Sequence, residues 1–165
     1  MIVSYALAQL LYSCAPRVAP STMAALVLYE SRGNPYAVDD DTARKSYYPR
    51  DAVVASSLAS QLLRRGHNLD VGLAQVNVSN FAVYGLTPAS AFDACANLRA
   101  ASAILIDRYR AAKRHYPVVR LALLHALCAY NSGSERGDAG YARGVLATAQ
   151  ALIWARPVDQ AGTAL

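Results

Sequence analysis

A mainly α-helical, single-domain fold follows from three features of the sequence. The 165 residues are 55% hydrophobic and only 16% charged, which supplies one substantial core and leaves no charge-rich tract to stay unfolded. Alanine-rich windows carry apolar residues at helical spacing, with capping residues ahead of several and glycine or proline behind. No repeat recurs at solenoid periods.

The elements can be justified in order. Ile2 to Tyr12 reads as a first helix. Ser21 can cap a second, from Thr22 to about Ser31, which Gly33 and Pro35 end. The stretch YAVDDDTARKSYYP lacks helical periodicity and reads as a loop with room for a short β-hairpin, its Asp39, Asp40 and Asp41 solvated. Asp51 to Arg65 is a third helix, with Asp51 at its start, Arg64 and Arg65 in its last turn and Gly66 just beyond. A non-periodic segment from Asn68 to Asn77 precedes a short helical stretch near Ser79 to Tyr84, closed by Gly85. From about Ala94 to His115 a long helix carries the apolar stripe Leu98, Ala101, Leu105 and Tyr109, with Arg108, Lys113 and Arg114 largely off it. Val118 to about Tyr130 is apolar enough to be central before Ser132 and Gly133 break it, and Tyr141 to Trp154 forms the last helix. The domain is therefore expected over residues 1–155, with a loose tail over 156–165.

The net charge of +5 favours an anionic partner, whether nucleic acid, a lipid surface or an acidic polymer such as cell wall. The run Arg108, Tyr109, Arg110, Lys113, Arg114, His115 and Tyr116 invites a nucleic-acid reading, but a solvated helix face is the expectation, and no nucleic-acid partner is assigned. Apolar stretches such as Ala24 to Tyr29 and Val118 to Tyr130 are too short or too interrupted to cross a bilayer. The N-terminus lacks a positively charged n-region and reads as a domain helix, which leaves open whether a leader was removed. Cys14, Cys95 and Cys128 lack zinc-site spacing, and His67, His115 and His125 are scattered, so no metal is expected.

Glu30 is the residue that asks for a function. Met23, Leu26, Val27 and Glu30 lie at i, i+3, i+4 and i+7, so the carboxyl shares a helix face with core residues. Desolvation there raises a carboxyl pKa, and an acid that stays protonated near neutrality can protonate a leaving oxygen. Only two glutamates, Glu30 and Glu135, occur against nine aspartates. The stretch DVGLAQVNVSN gives a permissive Gly72 and the polar Gln75 and Asn77 beside apolar Leu73 and Val76, and CAYNSG places Tyr130 and Asn131 at the end of the apolar helix. A tyrosine hydroxyl emerging from a core needs a partner, and a buried carboxyl is a good one.

Taken together, ESRGNP at Glu30, GLAQVN at Gly72 and AYNSG at Ala129 resemble the lytic transglycosylases of the goose-lysozyme-like superfamily, over roughly Leu7 to Arg143. NPYAV and VGLAQVN are closer to the branch that accompanies type IV secretion and conjugation systems, and Ala74 stands where much of the wider superfamily has methionine. The resemblance implies a lysozyme-like fold that cleaves the β-1,4 bond between N-acetylmuramic acid and N-acetylglucosamine in peptidoglycan. It implies Glu30 as catalytic acid and then base, with Ser31 beside it in the motif. Gly72, Leu73, Gln75 and Asn77 become glycan-contacting or site-shaping residues, Tyr130 the hydrogen-bond partner of the catalytic carboxyl, and Asn131 its neighbour. No cofactor is implied, and the expected setting is a periplasmic monomer that works on glycan strands beside a secretion apparatus. The segment FDACANLRA is similar to a family segment with a cysteine before its long helix, which implies a Cys14–Cys95 disulfide and leaves Cys128 a buried free thiol. Closing so long a loop stabilises by about 4 kcal/mol in the chain-entropy model. Two alternatives stay open: a hydrolysing lysozyme in which one of Asp39, Asp40 or Asp41 positions a water, and a wall-binding assembly factor without turnover. Tyr36, Tyr47, Tyr48 and Tyr84 are candidates for stacking on sugars.

Overall fold

The computed structural model describes residues 1–155, so the expected tail over 156–165 lies outside the described residues. Its first element is a strand, β1 (Ile2–Val3), and the first helix, α1 (Tyr5–Cys14), starts later than the apolar periodicity alone suggests. The Ser4 hydroxyl accepts from the Leu7 N–H at 3.2 Å and sets that start. The second helix, α2 (Pro20–Glu30), begins ahead of Ser21. Pro20 occupies its first turn, where a missing N–H costs nothing, and Ala19 precedes it without a side-chain cap.

Aspartates fix two later helices: Asp51 accepts from Val54 N–H to start α3 (Ala52–Arg64), and Asp93 from Ala96 N–H to start α5 (Ala94–His115). Between them a 3₁₀ turn at Val78–Asn80 leads into α4 (Phe81–Tyr84), closed by Gly85 at φ 70°. Then come α6 (Val119–Ser132), ended by Gly133 at φ 73°, and α7 (Ala139–Gln150). The last helix was expected over Tyr141 to Trp154; Asp138 caps it earlier, and Ile153–Trp154 instead pairs in parallel with the N-terminal strand.

The larger departure is an antiparallel four-stranded sheet. Its strands are β2 (Val38–Asp40), β3 (Lys45–Tyr47), β4 (Leu69–Val71) and β5 (Val76–Asn77), in the order β3-β2-β4-β5, and the C-terminal Ile153–Trp154 is β6. The expectation that Asp39, Asp40 and Asp41 form a solvated loop holds for Asp41, exposed in the turn after β2, and is corrected for Asp39 and Asp40, which lie in the strand. Val38 and Asp40 face inward at 0% and 1% exposure, because alternate side chains of a strand point to opposite faces. On the other face Asp39 stands opposite Asp70, and Asp70 opposite Asn77.

Met23, Leu26 and Val27 of α2 meet Leu98, Ala101 and Leu105 of α5 and Leu127 of α6 in one continuous core. A Cys14–Cys95 disulfide, with its Cα atoms 5.2 Å apart, fastens the end of α1 to the first turn of α5, and Cys128 is a buried free thiol.

Candidate active site

Glu30 closes α2, where the helix runs into the turn made by Gly33 and Pro35, and its side chain lines a cavity of about 360 Å³. Asp70, Gln75 and Asn77 from the sheet side line the same cavity, together with Arg108 of α5 and Tyr130 of α6. Burial raises the Glu30 carboxyl from its ordinary value to about 7; the hydrogen bond donated by the Tyr141 hydroxyl opposes this, and the negative charges of Asp70 and Asp39 add to it.

Tyr141 reaches the carboxyl because α2 packs against α7. Its ring meets that of Tyr29 edge-on at 5.2 Å, and Gly144, one turn further along α7, leaves room for the pair. A Cβ on Gly144 would lie 2.7 Å from the Tyr29 ring. Burial, then the Glu30 charge, hold the Tyr141 hydroxyl protonated far above the ordinary tyrosine range, so it remains a donor.

This arrangement corrects one expectation. Tyr130, not Tyr141, was expected to hold the catalytic carboxyl, yet its hydroxyl donates to the Ala74 carbonyl at 2.7 Å. The end of α6 passes beside the turn between β4 and β5, whose Ala74 carbonyl accepts the hydroxyl. Tyr130 still lines the cavity, and burial of its hydroxyl, with the charges of Glu30 and Asp70, keeps it protonated.

The β4–β5 turn is held from behind. Gly72 sits at φ 80°, and a Cβ there would lie 2.6 Å from the Ala91 carbonyl and collide with the Asn97 amide. Asn97 is fully buried: its Oδ1 accepts from Ala74 N–H at 2.8 Å, and its Nδ2 donates to Val71 O at 3.0 Å and Ala91 O at 2.9 Å. From the other side the Ser31 hydroxyl donates to the Leu73 carbonyl at 2.6 Å, tying the turn to the residue after Glu30. Ser31, Gly72 and Leu73 thus sit behind the cavity wall and position it.

Gln75 takes a left-handed backbone, φ 47°, uncommon for a residue with a side chain. Its Nε2 donates to Gly72 O at 2.8 Å and Ala37 O at 3.3 Å, while the buried Oε1 has no partner among the described residues. A buried acceptor without a partner is rare in a folded protein. The Asn77 carbonyl accepts from Ser79 and its amide donates to Asn68, which pins it at the rim; Asn131 lines the cavity and is exposed. None of Tyr36, Tyr47, Tyr48 and Tyr84 lines it.

Sequence reasoning missed Asp70, Asn97, Tyr141 and Arg108. Burial raises the Asp70 carboxyl to about 6; the Asn77 side chain works the other way, and the charges of Asp41 and Asp39 add to the rise. Its only sequence signal is a place two residues before Gly72. A cavity with one carboxylic acid poised near neutrality, a second carboxyl on the facing sheet and hydrogen-bonding amides around them is equipped to protonate a leaving oxygen on a polyhydroxylated ligand.

The transglycosylase SLT domain family model matches residues 10–143, which contain Glu30, the β4–β5 turn, Tyr130 and Tyr141. The chain belongs to this family. The SLT domain is also similar to the protein virB1 of Rhizobium radiobacter, 42% identical over 142 residues, or 85% of this chain and 59% of the relative. It is 42% identical over 151 residues to the protein virB1 of Agrobacterium fabrum, covering 88% of this chain and 61% of the relative. With the type IV secretion system protein virB1 of Brucella abortus it shares 43% identity over 125 residues, 75% of this chain and 52% of the relative. The SLT domain therefore spans 52–61% of the length of these curated relatives. No solved structure matches the chain.

Proposed function

We propose that this SLT domain is a peptidoglycan lytic transglycosylase that cleaves the bond between N-acetylmuramic acid and N-acetylglucosamine. The observation that carries the proposal is Glu30: a carboxyl at the wall of an open cavity, held near 7 and aligned by a tyrosine donor. In its neutral form Glu30 donates a proton to the glycosidic oxygen as the bond to the muramic acid C1 breaks. The substrate's own N-acetyl carbonyl stabilises the cation that develops at C1. The Glu30 carboxylate then takes the proton of the muramic acid 6-hydroxyl as that oxygen attacks C1. An internal 1,6-anhydro ring closes, Glu30 is neutral again, and no water is consumed. The exposed Asn131 offers hydrogen bonds to the sugar in the same cavity.

A second reading has a specific observation behind it. Asp70 lines the same cavity as Glu30 and its charge bears on Glu30's ionisation, so a second carboxyl is present of the kind a hydrolysing lysozyme uses. In that reading Asp70, in place of Asp39, Asp40 or Asp41, directs a water at C1. Mass spectrometry of the muropeptides released from purified peptidoglycan separates the two: 1,6-anhydro ends support the transglycosylase, and reducing ends the lysozyme.

The likeness to the Brucella relative, named a type IV secretion system protein, supports a role in opening the wall locally for such an apparatus. Peptidoglycan as substrate places that role in the periplasm. No helix among the described residues is long and apolar enough to cross a membrane.

A further inference from the structure

Arg108 was expected on a solvated face of the long helix, but it lines the cavity one turn beyond Ile104, on the same face of α5. It is the cation of a cavity whose other charged lining residues are Glu30, Asp41 and Asp70. Among the described residues its guanidinium makes no ion pair, and its Nε–H is enclosed with no acceptor. The acid next to it in sequence is already engaged, because Asp107 pairs with Arg110 at 3.5 Å and accepts from the Tyr84 hydroxyl at 3.1 Å. A desolvated guanidinium donor without an acceptor is costly and rare, and the fork of an arginine fits a carboxylate.

The position of this charge narrows what it can meet. A polyanion such as nucleic acid would run into Glu30, Asp70 and Asp41, whereas a neutral chain with a single acidic branch can keep its sugars by the carboxyls and send the branch toward α5. Of the two sugars in the proposed substrate, only muramic acid carries such a branch. We propose that Arg108 binds a carboxylate on the lactyl branch of the muramoyl residue, so that the cleft selects muramic acid strands over neutral β-1,4 glycans. The inference rests on the glycan-cleaving reading of the same cavity. The carboxylate has two sources, the lactyl group itself on a strand stripped of peptide, or an acidic residue of the attached stem peptide.

The test measures affinity calorimetrically in the non-cleaving Glu30→Gln background, with and without Arg108→Gln or Arg108→Lys. Three ligands are compared: chitotetraose, a denuded N-acetylglucosamine–N-acetylmuramic acid tetrasaccharide, and the same tetrasaccharide with stem peptides. The parent should prefer an acidic ligand to chitotetraose, and that preference should shrink with salt. Arg108→Gln should reduce the preference at least tenfold and remove its salt dependence, while Arg108→Lys keeps part of it. Loss of preference for the denuded ligand assigns the lactyl carboxylate; loss confined to the peptide-bearing ligand assigns the stem. If both acidic ligands bind but Arg108→Gln leaves their preference intact, the role of Arg108 is wrong and the glycan reading survives. If none of the three ligands binds, both fall together.

Discussion

The cleft and the inner face of the β-sheet each enclose a carboxyl and treat it in opposite ways. Asp40, on the inner face, is 1% exposed. Burial pushes its carboxyl up, but the Ala43 N–H at 3.0 Å and the His67 ring at 2.7 Å more than offset this, and it lies below the ordinary aspartate range. Glu30, in the cleft, is less completely covered, yet its carboxyl rises to about 7. Among the described residues its donor is Tyr141, and the charges that raise it, Asp70 and Asp39, are acids. Enclosure alone therefore does not make a proton donor. What separates the two is that Asp40 is supplied with partners for its charge and Glu30 is denied them.

The sharpest way to break the contrast is to remove each carboxyl in turn. Glu30→Gln should lower the release of soluble muropeptides from purified peptidoglycan by roughly 10²–10⁴-fold, the range for losing a general acid. Asp40→Asn should leave the pH profile of that release in place.

Stability gives the next largest difference, and its sign is opposite for the two groups. Glu30's folded pKa of about 7 exceeds its ordinary 4.5, so the folded state binds the extra proton and the protein loses stability as pH rises from about 4.5 to 7. Urea unfolding of parent and Glu30→Gln at pH 4.5 and pH 8 should show Gln gaining up to about 3 kcal/mol relative to the parent at the higher pH. Asp40's folded pKa is lowered, so its contribution is present above the ordinary 3.8 and is lost as pH falls through the folded value. Asp40→Asn should cost about 1–3 kcal/mol at pH 7 by weakening a buried hydrogen-bond pair. The smallest effect sharpens the account of Glu30 itself. Tyr141→Phe removes the bond that holds the carboxyl down, so the alkaline limb of kcat/KM, expected near pH 7 in the parent, should move to higher pH.

The same contrast explains what the sequence could and could not reveal. Glu30 was legible because helical periodicity is local: four residues at i, i+3, i+4 and i+7 put it on the core face. Asp51 and Gly85 were legible as helix boundaries for the same reason, since a cap acts within one turn. Asp40 was misread as solvated because its partner, His67, lies 27 residues away across the sheet. Tyr141 holds the carboxyl where Tyr130 was expected because the end of α6 and the first turn of α7 both bring a tyrosine near the cleft, and only packing decides which hydroxyl faces the carboxyl. Asn97 gave no signal at all: a buried amide in a long helix looks like any polar residue until the turn it staples, at Val71 and Ala74, is brought against it. Arg108 fell off the apolar stripe and so read as surface, although a residue off that stripe can equally face a cavity.

The central claim is that Glu30 stays neutral in the free protein up to about pH 7, and the composition makes it directly measurable. With only Glu30 and Glu135 in the chain, uniform ¹³C labelling of glutamate yields two side-chain carboxyl signals, and the one missing in Glu30→Gln is the group in question. Followed by NMR from pH 3 to pH 9, that signal should titrate with a midpoint near 7. A midpoint near 4.5, the ordinary glutamate value, would contradict the account.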